Sequence, residues 1–232
     1  MNNIKKWFEN FWYHNKWIVL IIAFFVICGV VILTQFIQKE EYDALILYTG
    51  PKVPNAIETK DIEEAFESVM EREYIKDSVK RVSLNPLFLL TDEQYNSDEY
   101  QFDKNGNIIV YNTAELIKAK EQYTTQIFVG EALICLLDPA WYDDAYKKDA
   151  FVPLNELTDK SYDKAMYNDS ALYLNQTEFG KYFEAFEVLP EDTLICFRKM
   201  SSSSGLKNKR KEEERYKYNK EFFVDILEFT AE

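Results

Sequence analysis

Residues 17–37, "WIVLIIAFFVICGVVILTQFI", run for 21 positions without a charge. As an α-helix rising about 1.5 Å per residue they span roughly 30 Å, the thickness of a bilayer's hydrocarbon core. From Trp17 to Leu33 the run is apolar on every face, so it lacks the polar stripe of a helix packed on a soluble core. It reads as a transmembrane helix and divides the chain into a segment 1–16, a span 17–37 and a domain 38–232. Trp7, Trp12, Tyr13 and Trp17 crowd the front edge, where amphipathic rings favour the membrane interface. "NNIKKWFENFWYHNK" has the composition of a short helix lying on the membrane surface.

Lys5, Lys6 and Lys16 oppose only Glu9 before the span, while "QKEEYD" beyond it is acidic. Positive charge near a span stays inside. The expected topology is single-pass in the cell membrane, with a cytoplasmic N-terminus and an extracellular domain. The apolar run is longer than a secretory h-region and no A-x-A-like site follows it, so it reads as an uncleaved signal anchor. Cys28-Gly29 sits where a lipoprotein would be cut, but bulky Ile27 precedes it and "VVIL" continues the run. The chain carries a net charge of −13; the first sixteen residues hold a surplus of +2, which leaves −15 for the remainder. A domain this acidic repels phosphate backbones, so nucleic acid is not an expected partner. The whole chain's 17 Phe and 16 Tyr argue for a packed fold.

Past the anchor, apolar runs alternate with amphipathic ones. "YDALILYTG" reads as a buried strand. "TKDIEEAFESVMEREY" places Ile62, Ala65, Phe66, Val69 and Met70 on one helical face, with Asp61 and Glu64 at capping-box spacing. "DSVKRVSLNPLFLL" has strand character interrupted by Pro86, and Asn105-Gly106 marks a two-residue hairpin turn between "YQF" and "IIVY". Asp103, Asn105 and Asn107 alternate as in a calcium loop, but Ile108 stands where that loop needs Gly and Ala114 where it needs Glu. "NTAELIKAKEQYTTQIFVG" is a second helix, capped by Asn112 and closed by Gly130. "ALICLLD" is a third strand. Asp138-Pro139 then supplies an N-cap and a first-turn Pro for a short helix. After a Tyr- and Phe-rich stretch of mixed helix and loop come the strand "TLICFRKM", the flexible connection "SSSSGLKNKRK" and a final helix. This alternation predicts an α/β domain, a three-layer sandwich around a mainly parallel sheet.

The stretch "KAKEQYTTQIFVGEALICLLDPAWYDDAYKKDAFVPLNEL" resembles bacterial extracellular solute-binding proteins of the type 2 periplasmic-binding fold. Ala132–Asp138 matches that family's strand, Pro139–Lys148 its short helix and Phe151–Leu157 its Pro-Leu exit. "YDALILYTG" and the last helix match the opening strand and the closing helix. The resemblance implies a lobe that binds solute against a second lobe. Only 35 residues separate "NEL" from "TLICFRK". Domains seldom fall below about 50 residues, so this chain is expected to be one lobe of that fold.

Little points to catalysis. The only histidine, His14, precedes the span, so no Ser-His or Cys-His pair can form in the domain. No P-loop, G-x-G-x-x-G or H-E-x-x-H occurs. No enzyme activity, cofactor or metal site is expected. Ligands of open α/β sheets bind beyond the carboxyl ends of the strands. Those ends offer Tyr48, Thr49 and Gly50 after the first strand, Asn85 after the second, and Asp138, Trp141 and Tyr142 after the third. Two readings of them stand open: a grip on a small ligand, or a helix cap with aromatic packing. Cys135 and Cys196, in matching apolar strands, are either a disulfide or two buried thiols. The expected function is a membrane-tethered, non-catalytic binding module whose partner is a membrane protein or a weakly held small molecule. The alternative is a structural accessory subunit of a membrane or envelope complex with no small ligand.

Overall fold

The computed structural model describes residues 2–37, 42–75, 79–102, 105–162, 164–200 and 209–231, and the chain divides into two compact units, Met1–Glu41 and Tyr42–Glu232. Of the connection expected at 201–211, residues 201–208 lie outside the described residues and 209–211 are already helical, while Asp103 and Lys104 of the expected hairpin also lie outside the described residues.

The first unit is one continuous helix, α1 (Asn2–Ile37), so the segment before the span is not a separate surface helix. Within α1, Phe11–Val31 is long and apolar enough to cross a membrane. Phe24, Phe25 and Ile27 are 61%, 68% and 63% exposed. Apolar surface on that scale calls for apolar surroundings.

The second unit is an α/β domain around a six-stranded sheet ordered β2-β1-β3-β6-β5-β4. The strands are β1 (Ala44–Gly50), β2 (Val82–Phe88), β3 (Ile134–Leu137), β4 (Met166–Asn168), β5 (Ala171–Tyr173) and β6 (Leu194–Phe197). The helices are α2 (Ala56–Val69), α3 (Asp92–Tyr95), α4 (Asp98–Gln101), α5 (Thr113–Phe128), α6 (Pro139–Tyr146), α7 (Glu178–Tyr182) and α8 (Lys209–Glu228). Alternate residues of β1 and β3 point to opposite faces, and both faces are covered. Ile46, Tyr48, Ile134 and Leu136 meet Phe66 of α2, Phe179 of α7 and Phe222 and Phe223 of α8. Leu47, Cys135 and Leu137 meet Tyr123 and Ile127 of α5 and Tyr142 of α6. Three layers result.

The mainly parallel sheet holds for β2, β1 and β3 only; β6, β5 and β4 join antiparallel. An apolar run encodes burial and not direction, so β6 could not be oriented from its residues. β4 and β5 have three residues each, too short to show a period of two. Helix α2 starts before Asp61. Asn55 is its N-cap, accepting from Glu58 N at 3.1 Å, while Glu58 accepts from Asn55 N at 2.7 Å. The hairpin reduces to one bridge, Phe102 to Ile108, because the preceding residues form α4. Gly106 takes φ +81°, as its turn requires.

Pro86 does not break β2, which places Asn85 in mid-strand opposite Leu47 rather than at the strand end. The reason lies in the sheet edge. Leu89 N donates to Gly50 O at 3.0 Å, so the odd residues of β2 bond to β1 and the even ones face outward. Among the outward donors, Val82 N is capped by Glu67 Oε1 at 2.9 Å and Leu84 N by Glu63 Oε1 at 2.8 Å. Pro86 takes the next outward position, where a missing N–H breaks no ladder bond.

Two buried charges tie the loops to the sheet. Asp43, fully buried, accepts from Tyr74 N (2.6 Å), Ile75 N (2.8 Å) and Arg81 N (2.8 Å). Arg198, 3% exposed, donates to the carbonyls of Ala132 (2.9 Å), Ile127 (3.3 Å) and Gly130 (2.5 Å) at the C-terminal end of α5. Replacing Arg198 by Met orphans three carbonyls and is expected to cost about 3 kcal/mol, a fall of roughly 10 °C in Tm for a domain of this size. Asp43→Asn turns an amide N–H toward the Arg81 N–H and is expected to cost about 2 kcal/mol. Thermal unfolding of the full chain in detergent, followed by circular dichroism, checks both. Losses under about 0.5 kcal/mol would show that neither group holds its loop.

Candidate functional site

The stretch "ICLLDPAWYDDAY" forms strand β3, the turn at Asp138 and helix α6, which brings Asp138 beside the end of β1. Asp138 N donates to Thr49 O at 2.9 Å. Its two carboxylate oxygens are both engaged: Oδ1 accepts from Ala140 N (2.9 Å), the helix cap, and Oδ2 from Gln94 Nε2 (2.7 Å) on α3. Tyr48 is fully buried, and its hydroxyl donates to Lys52 O at 2.6 Å. Its ring folds back under Gly50, where an added Cβ would stand 2.5 Å from the phenolic oxygen. Gly50 is therefore required by that close approach, and burial pushes the Tyr48 phenol well above its usual range.

Sequence reasoning missed three members of this cluster. Gln94 reaches Asp138 from α3. Asp192, just before β6, and Tyr100, on α4, feel the Asp138 charge. Burial raises the Asp192 carboxyl above the ordinary carboxylate range, and repulsion from Asp138 adds to it. No sequence signal marked these residues, because α3, α4 and the turn before β6 come together only when the sheet is assembled.

The aromatic candidates face inward. Tyr142 is fully buried, stacks on Phe151 (centroids 4.8 Å, 14° between planes) and donates its hydroxyl to Asn168 Oδ1 at 2.8 Å. Trp141 packs edge-on against Tyr123 at 5.4 Å, with Lys120 Nζ 5.5 Å from its ring centre. Two buried polar atoms in this region have no partner among the described residues: Thr49 Oγ1 and Trp141 Nε1. Asn85, in the middle of β2, stands apart from the strand ends. The geometry thus joins Tyr48, Thr49 and Asp138 at one edge and sets Trp141 and Tyr142 into the packing beneath α6.

Cys135 and Cys196 are direct cross-strand partners, and both are free and fully buried. Arg198 N donates to Leu133 O at 2.8 Å, so two residues along Cys135 and Cys196 form a hydrogen-bonded pair. Cβ atoms in such pairs stand about 5.5 Å apart, wider than the roughly 3.5–4.5 Å of a disulfide. Burial raises the Cys196 thiol well above its usual range, which makes it a poor nucleophile.

Cavities lie on either side of the sheet edge formed by β2. One, of about 300 Å³, lies between the end of α2 and α8, lined by Arg72, Tyr218, Glu221 and Asp225 among others. The other, of about 260 Å³, lies between β2 and α5. Among the described residues no group of His, Cys, Asp and Glu is arranged to hold a metal ion. No protein family matches the chain, and no curated protein or solved structure matches it either.

Titration of thiols without reductant is expected to find three in the unfolded chain, with Cys135 and Cys196 unreactive in the native domain; a single thiol after unfolding would mean that the pair is bonded. Asp192 sets a pH dependence. A carboxyl whose folded pKa is raised contributes stability below the ordinary carboxylate range and loses it as pH rises through the raised value. Asp192→Asn is therefore expected to melt higher than the unsubstituted chain at pH 7, with the gap shrinking toward pH 4. A gap independent of pH would remove the repulsion from Asp138.

Proposed function

We propose that this chain is a membrane-tethered, non-catalytic binding module, with its N-terminus in the cytoplasm and its α/β domain outside the cell. The observation that carries the reading is a single compact α/β unit, Tyr42–Glu232, following a helix whose apolar surface is exposed on all sides. The lysines before the span and the acidic residues after it support the orientation. A sheet with β2, β1 and β3 parallel and a late strand, β6, returning beside β3 is consistent with one lobe of a type 2 periplasmic-binding fold. Without a facing lobe, a small solute would lack the enclosure that usually buries most of its surface, which favours a protein partner over a solute.

The alternative, an accessory subunit with no small ligand, draws on the strand-end side chains. Asp138 and Tyr142 have their polar atoms engaged by neighbours. Three measurements divide these readings. Protease added to intact cells is expected to digest the domain, and its full protection would overturn the orientation. A tagged full chain solubilised from its own membranes is expected to retain a partner in stoichiometric amount. A small ligand that raises Tm by several degrees, and loses that effect in Asp138→Ala, would favour solute binding over both protein-docking readings.

A further inference from the structure

The groove between β2 and α5 is lined by Pro86, Phe88, Tyr111, Glu115, Leu116 and Ala119. At about 260 Å³ it falls below the range of roughly 300–1,000 Å³ typical of small-molecule sites, and its size suits one or two inserted side chains. Its floor is apolar and aromatic: Phe88 stacks on Tyr111 at 5.7 Å, and Tyr95 leans on Tyr111 at 5.9 Å. Apolar side chains stand open on the segments that line it. Val110, next to Tyr111, is 88% exposed, and Ile117, next to Leu116, is 57% exposed.

Two constraints define what can enter. The first is the sheet edge. β2 is an edge strand, but its outward donors at Val82 and Leu84 are taken by Glu67 and Glu63, and Pro86 has none. Along Val82–Pro86 the edge offers an added strand no N–H, so a partner there engages through side chains. The second is charge. Helices α3 and α4 pack on Tyr111 through the Tyr95 ring and through the bond from Tyr111 Oη to Tyr100 O at 2.6 Å. They carry Asp92, Glu93, Asp98 and Glu99, all exposed, and Glu115 stands in the groove wall. An apolar slot rimmed by carboxylates complements an apolar side chain flanked by cations.

We propose that this groove docks a basic amphipathic helix of a partner protein, which inserts one or two apolar side chains between β2 and α5 and sets Lys or Arg against α3 and α4. This rests on the binding-module reading and assigns that module's contact surface to the β2 edge and to α3 and α4, whose Gln94 also bonds to Asp138.

The test uses the full chain in zwitterionic nanodiscs, with empty nanodiscs as the blank. The probe is a fluorescent 18-residue helical peptide with a Leu/Phe stripe and a Lys face. Fluorescence anisotropy is expected to show saturable binding above the blank, weakened at least tenfold by Ala119→Trp, which fills the groove. The surface variant Asp92→Asn/Glu93→Gln/Glu99→Gln, which leaves the packing intact, is expected to weaken it severalfold. A matched peptide with a Glu face is expected not to bind. Binding unchanged in both variants, or equal binding of the Glu peptide, overturns the groove. If a partner co-purified from native membranes is retained by the Ala119→Trp chain, the groove is overturned while the module reading stands. Loss of that partner with Tm unchanged supports both.

Discussion

A guanidinium buried to 3% exposure, with no carboxylate partner among the described residues, ties the two halves of the sheet to the layer above it. Arg198 follows β6 and donates to three carbonyls where α5 ends and the chain turns toward β3. The charge stands at the negative end of the helix dipole, so the helix terminus acts in place of a counter-ion. Burial pulls the guanidinium's pKa down, yet an arginine remains protonated at any physiological pH. The Ile127 carbonyl in the last turn of α5 is thereby paired, together with those of Gly130 and Ala132 on the approach to the central strand. Asp43 has the complementary task at the same end of the sheet, just before β1, where the backbone amides of Tyr74, Ile75 and Arg81 converge on one carboxylate.

The management of the sheet edge has consequences for what the domain can bind. An exposed edge strand is a template for pairing with other chains. Here Glu63 and Glu67 reach from α2 to cover the outward amides of β2. Desolvation raises the Glu63 carboxyl, the electrostatic penalty of closing that edge, and the bond from Leu84 N partly offsets it. With Val82 N and Leu84 N capped and no N–H at Pro86, contact along this stretch falls to side chains, and those beside it are aromatic and aliphatic with acidic residues on α3 and α4. At the strand ends near Asp138, where α/β sheets commonly bind ligands, Tyr48 folds under Gly50 and Gln94 bonds to Asp138.

Legibility in the sequence followed the range of the interaction. Asp138-Pro139 as a cap, Asn112 as a cap and the apolar face of α2 depend on neighbours within a turn or two, and they are present as read. The start of α2 was misplaced because Asn55 with Glu58 and Asp61 with Glu64 have the same spacing, and only the chain's entry past Pro54 decides between them. Pro86 looked like a strand end because its tolerance depends on which side of β2 lies at the sheet edge. Gln94, Tyr100 and Asp192 were invisible as site members, since they lie 44, 38 and 54 positions from Asp138 along the chain.

The sequence alone determined that one helix is too apolar for water and that an acidic α/β domain follows it. These are properties of composition and local period, which need no knowledge of neighbours. Tertiary structure alone decided the direction of β6, the closing of the β2 edge and the engagement of Asp138. It also decided that Cys135 and Cys196 meet in a register that leaves them as thiols. Each of these depends on which strand lies beside which, and hydrogen-bond pairing between distant segments leaves no periodic trace in the chain.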